Sequence, residues 1–249
     1  MIYEMDRIPD IRSLRRLPRA NLATQAYESI VEAIIDRHLE PGTRLNIEDL
    51  AKQLDMSATP IREALAHAAG QRLVMQRSNH GFTVAPLLSE RKFGELFDVR
   101  HLLETYTLGC AELNSPMVGR LEEIVGLMPT MEHGPVYRDF REFNQADREF
   151  HHILVSMARN TVLTKTWEDL HFHLQVGRFY AGAGVIDFGD ALREHVAIVE
   201  ALRTGDKEAA ARAVSHHIKQ AEDRLKILVD AVVLTTQNGV LIAQDTRGK

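Results

Sequence analysis

The sequence predicts a mainly α protein in two parts, an N-terminal winged helix-turn-helix and a C-terminal antiparallel all-α helical bundle. Three observations carry this. Two short helical patterns meet at a tight turn near residue 56, two short extended runs follow around Ser78-Asn79-His80-Gly81, and from Glu90 onward strand signals almost vanish while helical spacing persists. The parts divide as a basic arm over 1–21, the winged helix over 22–87, the bundle over 88–235 and a tail over 236–249.

The first helix is marked by an apolar stripe at Ala26, Ile30, Ala33 and Ile34 that stops at Pro41-Gly42. Asn46 is a helix-capping residue type with a carboxylate three positions on at Asp49, and Leu50, Ala51 and Leu54 repeat at helical spacing, giving a second helix from about Ile47 to Leu54. Only Asp55 and Met56 separate it from Ser57, which can cap a third helix, with Pro60 in the first turn where its missing N–H costs little. That third helix is the expected recognition helix. Its small, polar start lets the backbone approach a phosphate, and Arg62 lies one turn on, where a long side chain reaches a base edge. Extended runs at Leu73–Gln76 and Phe82–Val84 then form a wing with His80 at its tip, and Gly81 allows a positive φ in the turn. The expected DNA contacts are Ser57, Thr59, Arg62, His80 and Gly81. Four of the five also have a plainer role: Ser57 as a cap, Thr59 as a solvated first-turn residue, Arg62 as a partner for Glu63 or Asp49, and Gly81 as a turn residue.

Residues 25–87 resemble the DNA-binding domain of the GntR family of bacterial transcription regulators. The resemblance rests on an ordered set: Pro-Gly-x-x-Leu at 41–45, Leu-Ala at 50–51, Ser-x-Thr-Pro-Ile-Arg-Glu-Ala-Leu at 57–65 and Gly-Phe-x-Val at 81–84. Ala58 stands where the family usually carries arginine, and Arg72 where a glycine commonly precedes the hairpin. The usual family operator is therefore not assumed for this chain.

Charge divides unevenly. The net charge is −5, with 11 Lys+Arg against 11 Asp+Glu in residues 1–87 and 19 against 24 in residues 88–249. Arg12, Arg15, Arg16 and Arg19 run without an intervening acid, as either a phosphate-tracking arm or a solvated one. No apolar run approaches the roughly 20 residues that span a bilayer, and Met1 to Asp10 does not read as a signal peptide, so a cytoplasmic, membrane-free protein is expected. The one cysteine, Cys110, falls with Leu103 and Tyr106 in a helical apolar pattern and is expected to be buried.

Bundle helices are expected over about 90–113, 117–131, 135–159, 162–181, 187–204 and 207–234, with proline, glycine and asparagine punctuating them. Nine of the 12 histidines lie beyond residue 88, so which of them face inward becomes the question. Phe143, Asp147, Phe150, Leu154 and Met157 share a helical face, and His151 follows Asp147 by four residues. His195 shares a face with Ile198, Val199 and Leu202, and His217 with Ala210, Val214 and Ala221; His152 and His216 are rotated outward. Three imidazoles and a carboxylate suit a divalent transition metal, but spacing alone favours an Asp147–His151 pair with the other histidines separately hydrogen-bonded in the core.

Residues 90–230 resemble the ligand-binding domain of the FadR-type branch of that family, often called FCD. Many such domains carry Asp-x-x-x-His on one helix and two later histidines, and Asp147, His151, His195 and His217 match, as does Gly205-Asp206 in the intervening turn. The resemblance implies a divalent transition metal, zinc or nickel foremost and manganese or iron compatible. It also implies a small carboxylate effector held by that metal with help from Arg100, in an Arg-x-x-x-Glu pattern with Glu104; the plain reading of Arg100 is a salt bridge to Glu104. His173 and Arg178 are further candidate effector contacts. The function so implied is a ligand-switched, homodimeric regulator of operator DNA, with no catalytic residues. Two rivals are a metal-free acyl-CoA-type sensor and a metal-dependent hydrolase or lyase using the same ligands.

Overall fold

The structure is a computed structural model, and it describes residues 22–77, 81–111, 113, 115–131, 134, 137–170 and 188–236. The N-terminal part consists of α1 (Leu22–Ile35), β1 (Arg44–Leu45), α2 (Ile47–Gln53), α3 (Ala58–Gly70), β2 (Val74–Arg77) and β3 (Gly81–Val84). Its core is assembled from the apolar stripes of the helices: Ala26, Ile30 and Ile34 of α1 meet Ile61, Ala64, Leu65 and Ala68 of α3. The strands form an antiparallel sheet in the order β1-β3-β2, with Leu45 opposite Phe82 and Met75 opposite Thr83. β1 is two residues long, too short to leave a periodic signal, and the sequence does not show it.

Helix ends explain much of this local shape. Asn46 caps α2 by accepting the Glu48 N–H through its Oδ1 at 2.9 Å. The turn of the helix-turn-helix is Asp55, at φ +50°, and the Met56 N–H returns to the Ala51 carbonyl. Ser57 occupies the N-cap of α3, but its side chain makes no capping bond, which corrects the sequence expectation. The other end of α3 closes as a Schellman motif, with Arg72 N–H to the Ala69 carbonyl and Leu73 N–H to the Ala68 carbonyl at 3.0 Å each. Arg72, where the resemblance has glycine, holds φ +59°. A side chain in that region costs roughly 1–2 kcal/mol, and glycine gives back part of this through its unfolded-state freedom. Arg72→Gly is therefore expected to raise the unfolding free energy by several tenths of a kcal/mol up to about 1 kcal/mol. Denaturant titration checks it, and a clear loss of stability would rule the strain out.

The second part is helical throughout its described length: α4 (Glu90–Cys110), α5 (Ser115–Leu127), α6 (Tyr137–Ser156), α7 (Thr161–Asp169), α8 (Phe188–Arg203) and α9 (Lys207–Thr236), with a single 3₁₀ turn at Met128–Thr130 after α5. α9 packs against α4 and α8, α6 against α4, α5 and α7, and α5 also against α8. Asn160 caps α7 by accepting from the Val162 and Leu163 N–H groups. Gly205 takes φ +74° in the α8–α9 turn, and Asp206 accepts the Ala209 N–H at 2.8 Å to start α9.

α4 reverses the usual arrangement. Its buried side chains include Arg100, Glu104 and Thr107 beside Phe93, Phe97 and Leu108, while Val99, Leu102 and Tyr106 are exposed. Cys110 goes with the outward group, contrary to the expectation of burial, and its Sγ donates to the Tyr106 and Thr107 carbonyls at 3.4 Å each. Periodicity identifies an apolar face without saying whether that face turns inward.

Candidate metal centre

Three helices bring four polar residues to one buried point. α6 supplies Asp147 and His151, α8 supplies His195 and α9 supplies His217, and one donor atom from each lies within 4.8 Å of all the others. His151 and His195 are fully enclosed, His217 is 2% exposed and Asp147 is half-buried. The His151 and His217 Nε2 atoms are 3.1 Å apart; His195 Nε2 is 3.3 Å from His151 Nε2 and 3.3 Å from Asp147 Oδ1, which is 3.7 Å from His151 Nε2. Phe150 lies against the His151 and His195 rings with centroids at 5.3 and 4.4 Å and closes one side of the cluster.

The protonation pattern follows from what stands behind the rings. His151 Nδ1 is 2.8 Å from Glu104 Oε2, and His217 Nδ1 is 2.8 Å from Glu194 Oε2. Burial, the largest influence on Glu104, disfavours its charge, but Arg100 and His151 outweigh it and hold the carboxyl well below the usual range. Glu194 is likewise opposed by burial and held low by its bonds to His217 and Arg224. Ionised carboxylates only accept, so both Nδ1 atoms donate. Burial also pushes His151 down to about 4 and His217 down to about 3, so both rings are neutral near pH 7. A neutral imidazole has one N–H. Both Nε2 atoms therefore turn lone pairs toward each other across 3.1 Å.

Facing lone pairs at that distance repel, and a cation between them reverses the sign of the interaction. Zinc–nitrogen bonds of about 2.0–2.1 Å set ligand separations of roughly 3–3.4 Å, which the three short distances match. The donor set of three imidazoles and one carboxylate, two of the rings backed by carboxylates, thus fits a divalent transition metal, and the cluster could hold one. His195 Nδ1 is buried and has no hydrogen-bond partner among the described residues.

The other expected site residues are distributed as follows. Arg100 is 2% exposed and its Nε donates to Glu104 Oε1 at 2.7 Å, so the salt bridge to Glu104 is present. His173 and Arg178 lie outside the described residues. Ser57, Thr59 and Arg62 are exposed together at the start of α3, and Arg62 makes no ion pair with Glu63, Asp49 or any other acid among the described residues. Gly81 opens β3 at φ +74°, while His80 lies outside the described residues. Sequence reasoning missed Glu194, Trp167 and Arg224. Trp167 Nε1 donates to Glu104 Oε1 at 2.8 Å, and Arg224 grips Glu194. These contacts cross 63 and 30 residues of chain, so spacing within one helix carries no trace of them.

Comparison with known proteins places both parts. Residues 22–84 match the family described as bacterial regulatory proteins, gntR family, and residues 95–220 match the FCD domain. A probable D-xylose utilization operon transcriptional repressor of Paenarthrobacter nicotinovorans is 31% identical over 204 residues, which is 82% of this chain and 88% of that protein. The gluconate operon transcriptional repressor of Bacillus subtilis is 24% identical, across 85% of this chain and 88% of its own. Among solved structures, E. coli McbR/YncC aligns with a TM-score of 0.60 at 20% identity over 88% of this chain and 99% of its own. A putative GntR regulator from Rhodococcus sp. RHA1 aligns at 0.62 and 23% identity, over 82% and 96%. The two structures share the fold. The chain belongs to the GntR family of bacterial regulatory proteins, as a DNA-binding transcriptional regulator with an FCD domain.

Proposed function

We propose that this regulator holds a divalent transition metal on Asp147, His151, His195 and His217 and answers to a small carboxylate bound beside it. The observation that carries this is the 3.1 Å approach of two imidazole Nε2 atoms whose opposite nitrogens are both committed to carboxylates. The metal supplies a Lewis-acidic positive charge to a carboxylate oxygen. Arg100 on α4 is assigned to help hold the carboxylate; after burial, it is among the influences that disfavour protonation of His151 and His217. His173 and Arg178 are assigned as further effector contacts. Gluconate, which gives one relative its name, is itself a small carboxylate. A metal-free acyl-CoA sensor has no use for converging lone pairs, and the relatives' names are those of regulators, not of hydrolases or lyases.

At the other end, Ser57, Thr59, Arg62, His80 and Gly81 are assigned to the DNA, with the arm over 1–21 along the backbone and the domains divided near 87 and 235. A homodimer then sets two α3 helices in successive major grooves of a roughly palindromic site. The outward face of α4 supports pairing with a second copy: from Val99 to Cys110 its exposed side chains carry no charge, so two copies meet there without like-charge repulsion. No described helix is long and apolar enough to cross a membrane, and a cytoplasmic location is part of the same proposal, since operator DNA is the proposed partner.

Coupling requires that the effector bind two arrangements of the dimer with different affinity. The test is an operator-binding titration of zinc-loaded protein with a panel of small carboxylates. At least one is expected to shift operator affinity by roughly 5–150-fold at two chains per site, and the shift should vanish after chelation. A shift that survives complete metal removal would contradict the metal's role.

A further inference from the structure

The two carboxylates behind the imidazoles are built differently. Glu104 is sealed: it is fully buried and its Oε1 accepts from both Arg100 and Trp167. Glu194 lies instead at an open cleft of about 530 Å³ between α8 and α9, lined also by Asp190, Arg193, His216, Gln220 and Arg224. Arg224 holds it end-on through both terminal nitrogens, Nη1 to Oε1 at 2.7 Å and Nη2 to Oε2 at 2.9 Å, while Oε2 also accepts from His217 Nδ1 at 2.8 Å. The side chains of Glu194 and Arg224 are 12% and 20% exposed.

We propose that Arg224 is a positioning residue for the metal centre, acting through Glu194 on His217, and that the α8–α9 cleft is where metal affinity is set from the surface. This rests on the reading of Asp147, His151, His195 and His217 as metal ligands. The planar guanidinium fork fixes the plane of the Glu194 carboxylate, which a single-point ammonium does not do. A fixed carboxylate holds His217 as the Nδ1–H tautomer with Nε2 facing the other ligands. Without Arg224, Glu194 keeps its charge but is free to turn toward water in the cleft, and His217 loses its orienting acceptor. On the Glu104 side no such release exists, because that carboxylate has no solvent to turn to.

The experiment is zinc titration of the full chain, purified without a histidine tag, in competition with a chromophoric chelator. Glu194→Gln is expected to weaken zinc by about 10–100-fold, as outer partners of metal-bound histidines do, and Arg224→Met by about tenfold. Arg224→Lys should recover only part of the loss. Arg193→Met, in the same cleft but paired with Asp190, should bind zinc as wild type does. A second readout needs no metal: ¹⁵N spectra of the metal-free protein should show His217 as one tautomer in wild type and as a mixture in Arg224→Met. Unchanged zinc affinity together with an unchanged tautomer in Arg224→Met overturns the proposal, as does an equal loss in Arg193→Met. If wild type binds no zinc, the metal reading fails, while a tautomer change in Arg224→Met would still support the positioning chain. Circular dichroism separates these results from unfolding, and Arg224→Lys and Glu194→Gln stand in should Arg224→Met not fold.

Discussion

His151→Ala is expected to abolish stoichiometric metal binding and, with it, the metal's contribution to stability. His151 is the middle of the cluster, with its Nε2 3.1 Å from that of His217 and 3.3 Å from that of His195. Removing it takes away one ligand and leaves Glu104 without one of its donors, while Arg100 and Trp167 continue to hold that carboxylate. A ligand that binds only the folded chain stabilises it by about 4 kcal/mol at a thousandfold excess over its dissociation constant. Wild-type protein should therefore show a large rise in Tm on zinc addition and the variant almost none. The vacated space costs stability of its own, of order 2–5 kcal/mol for a buried large-to-small change. The zinc-dependent difference is thus the diagnostic quantity. Asp147→Asn keeps the shape of a partly exposed side chain and should weaken zinc while leaving the metal-free Tm nearly unchanged; equal zinc stabilisation in wild type and both variants would reject these ligands.

Arg62→Ala is expected to remove specific operator recognition without disturbing the fold. The side chain is exposed on the second turn of α3 and has no acidic partner among the described residues, so its truncation should change stability by no more than about 0.5 kcal/mol. A bidentate contact to a base is worth about 1–3 kcal/mol, and a dimer loses it twice. Operator affinity should fall by roughly 30-fold to more than a thousandfold at fixed salt, with nonspecific binding much less affected. If operator and random DNA lose affinity equally, Arg62 touches only phosphate. If neither changes, it does not touch DNA. Ala58 beside it sharpens the point, because with no arginine there Arg62 is the sole guanidinium on α3.

The N-terminal part was readable because its information is local. Asn46, Pro60, Gly81 and the stripes of α1 and α3 each specify a cap, a first turn, a positive φ or a buried face within a few residues. Ser57 shows the limit of that logic, since residue type and position predict a cap while the hydroxyl makes no bond to the helix. In the bundle, three inward histidines followed from helical faces, and burial of His151, His195 and His217 agrees. The direction of α4 did not follow, because its apolar stripe at Val99, Leu102 and Tyr106 faces out and its charged pair faces in. The carboxylates behind the imidazoles were equally hidden. Glu104 reaches His151 across 47 residues, and Glu194 reaches His217 across 23, so only the packed helices reveal that each ring has a fixed tautomer. Arg72 is the reverse case: a departure from a family pattern, legible in sequence, whose physical meaning appears only with its φ of +59°.

The most direct measurement is the metal content of the protein purified from cells without a histidine tag or chelator, read by mass spectrometry of the elements against protein concentration. One divalent transition metal per chain, lost in His151→Ala, is the expected result. A folded wild-type protein that carries no metal and takes up none from excess zinc or nickel would contradict the assignment of Asp147, His151, His195 and His217 as its ligands.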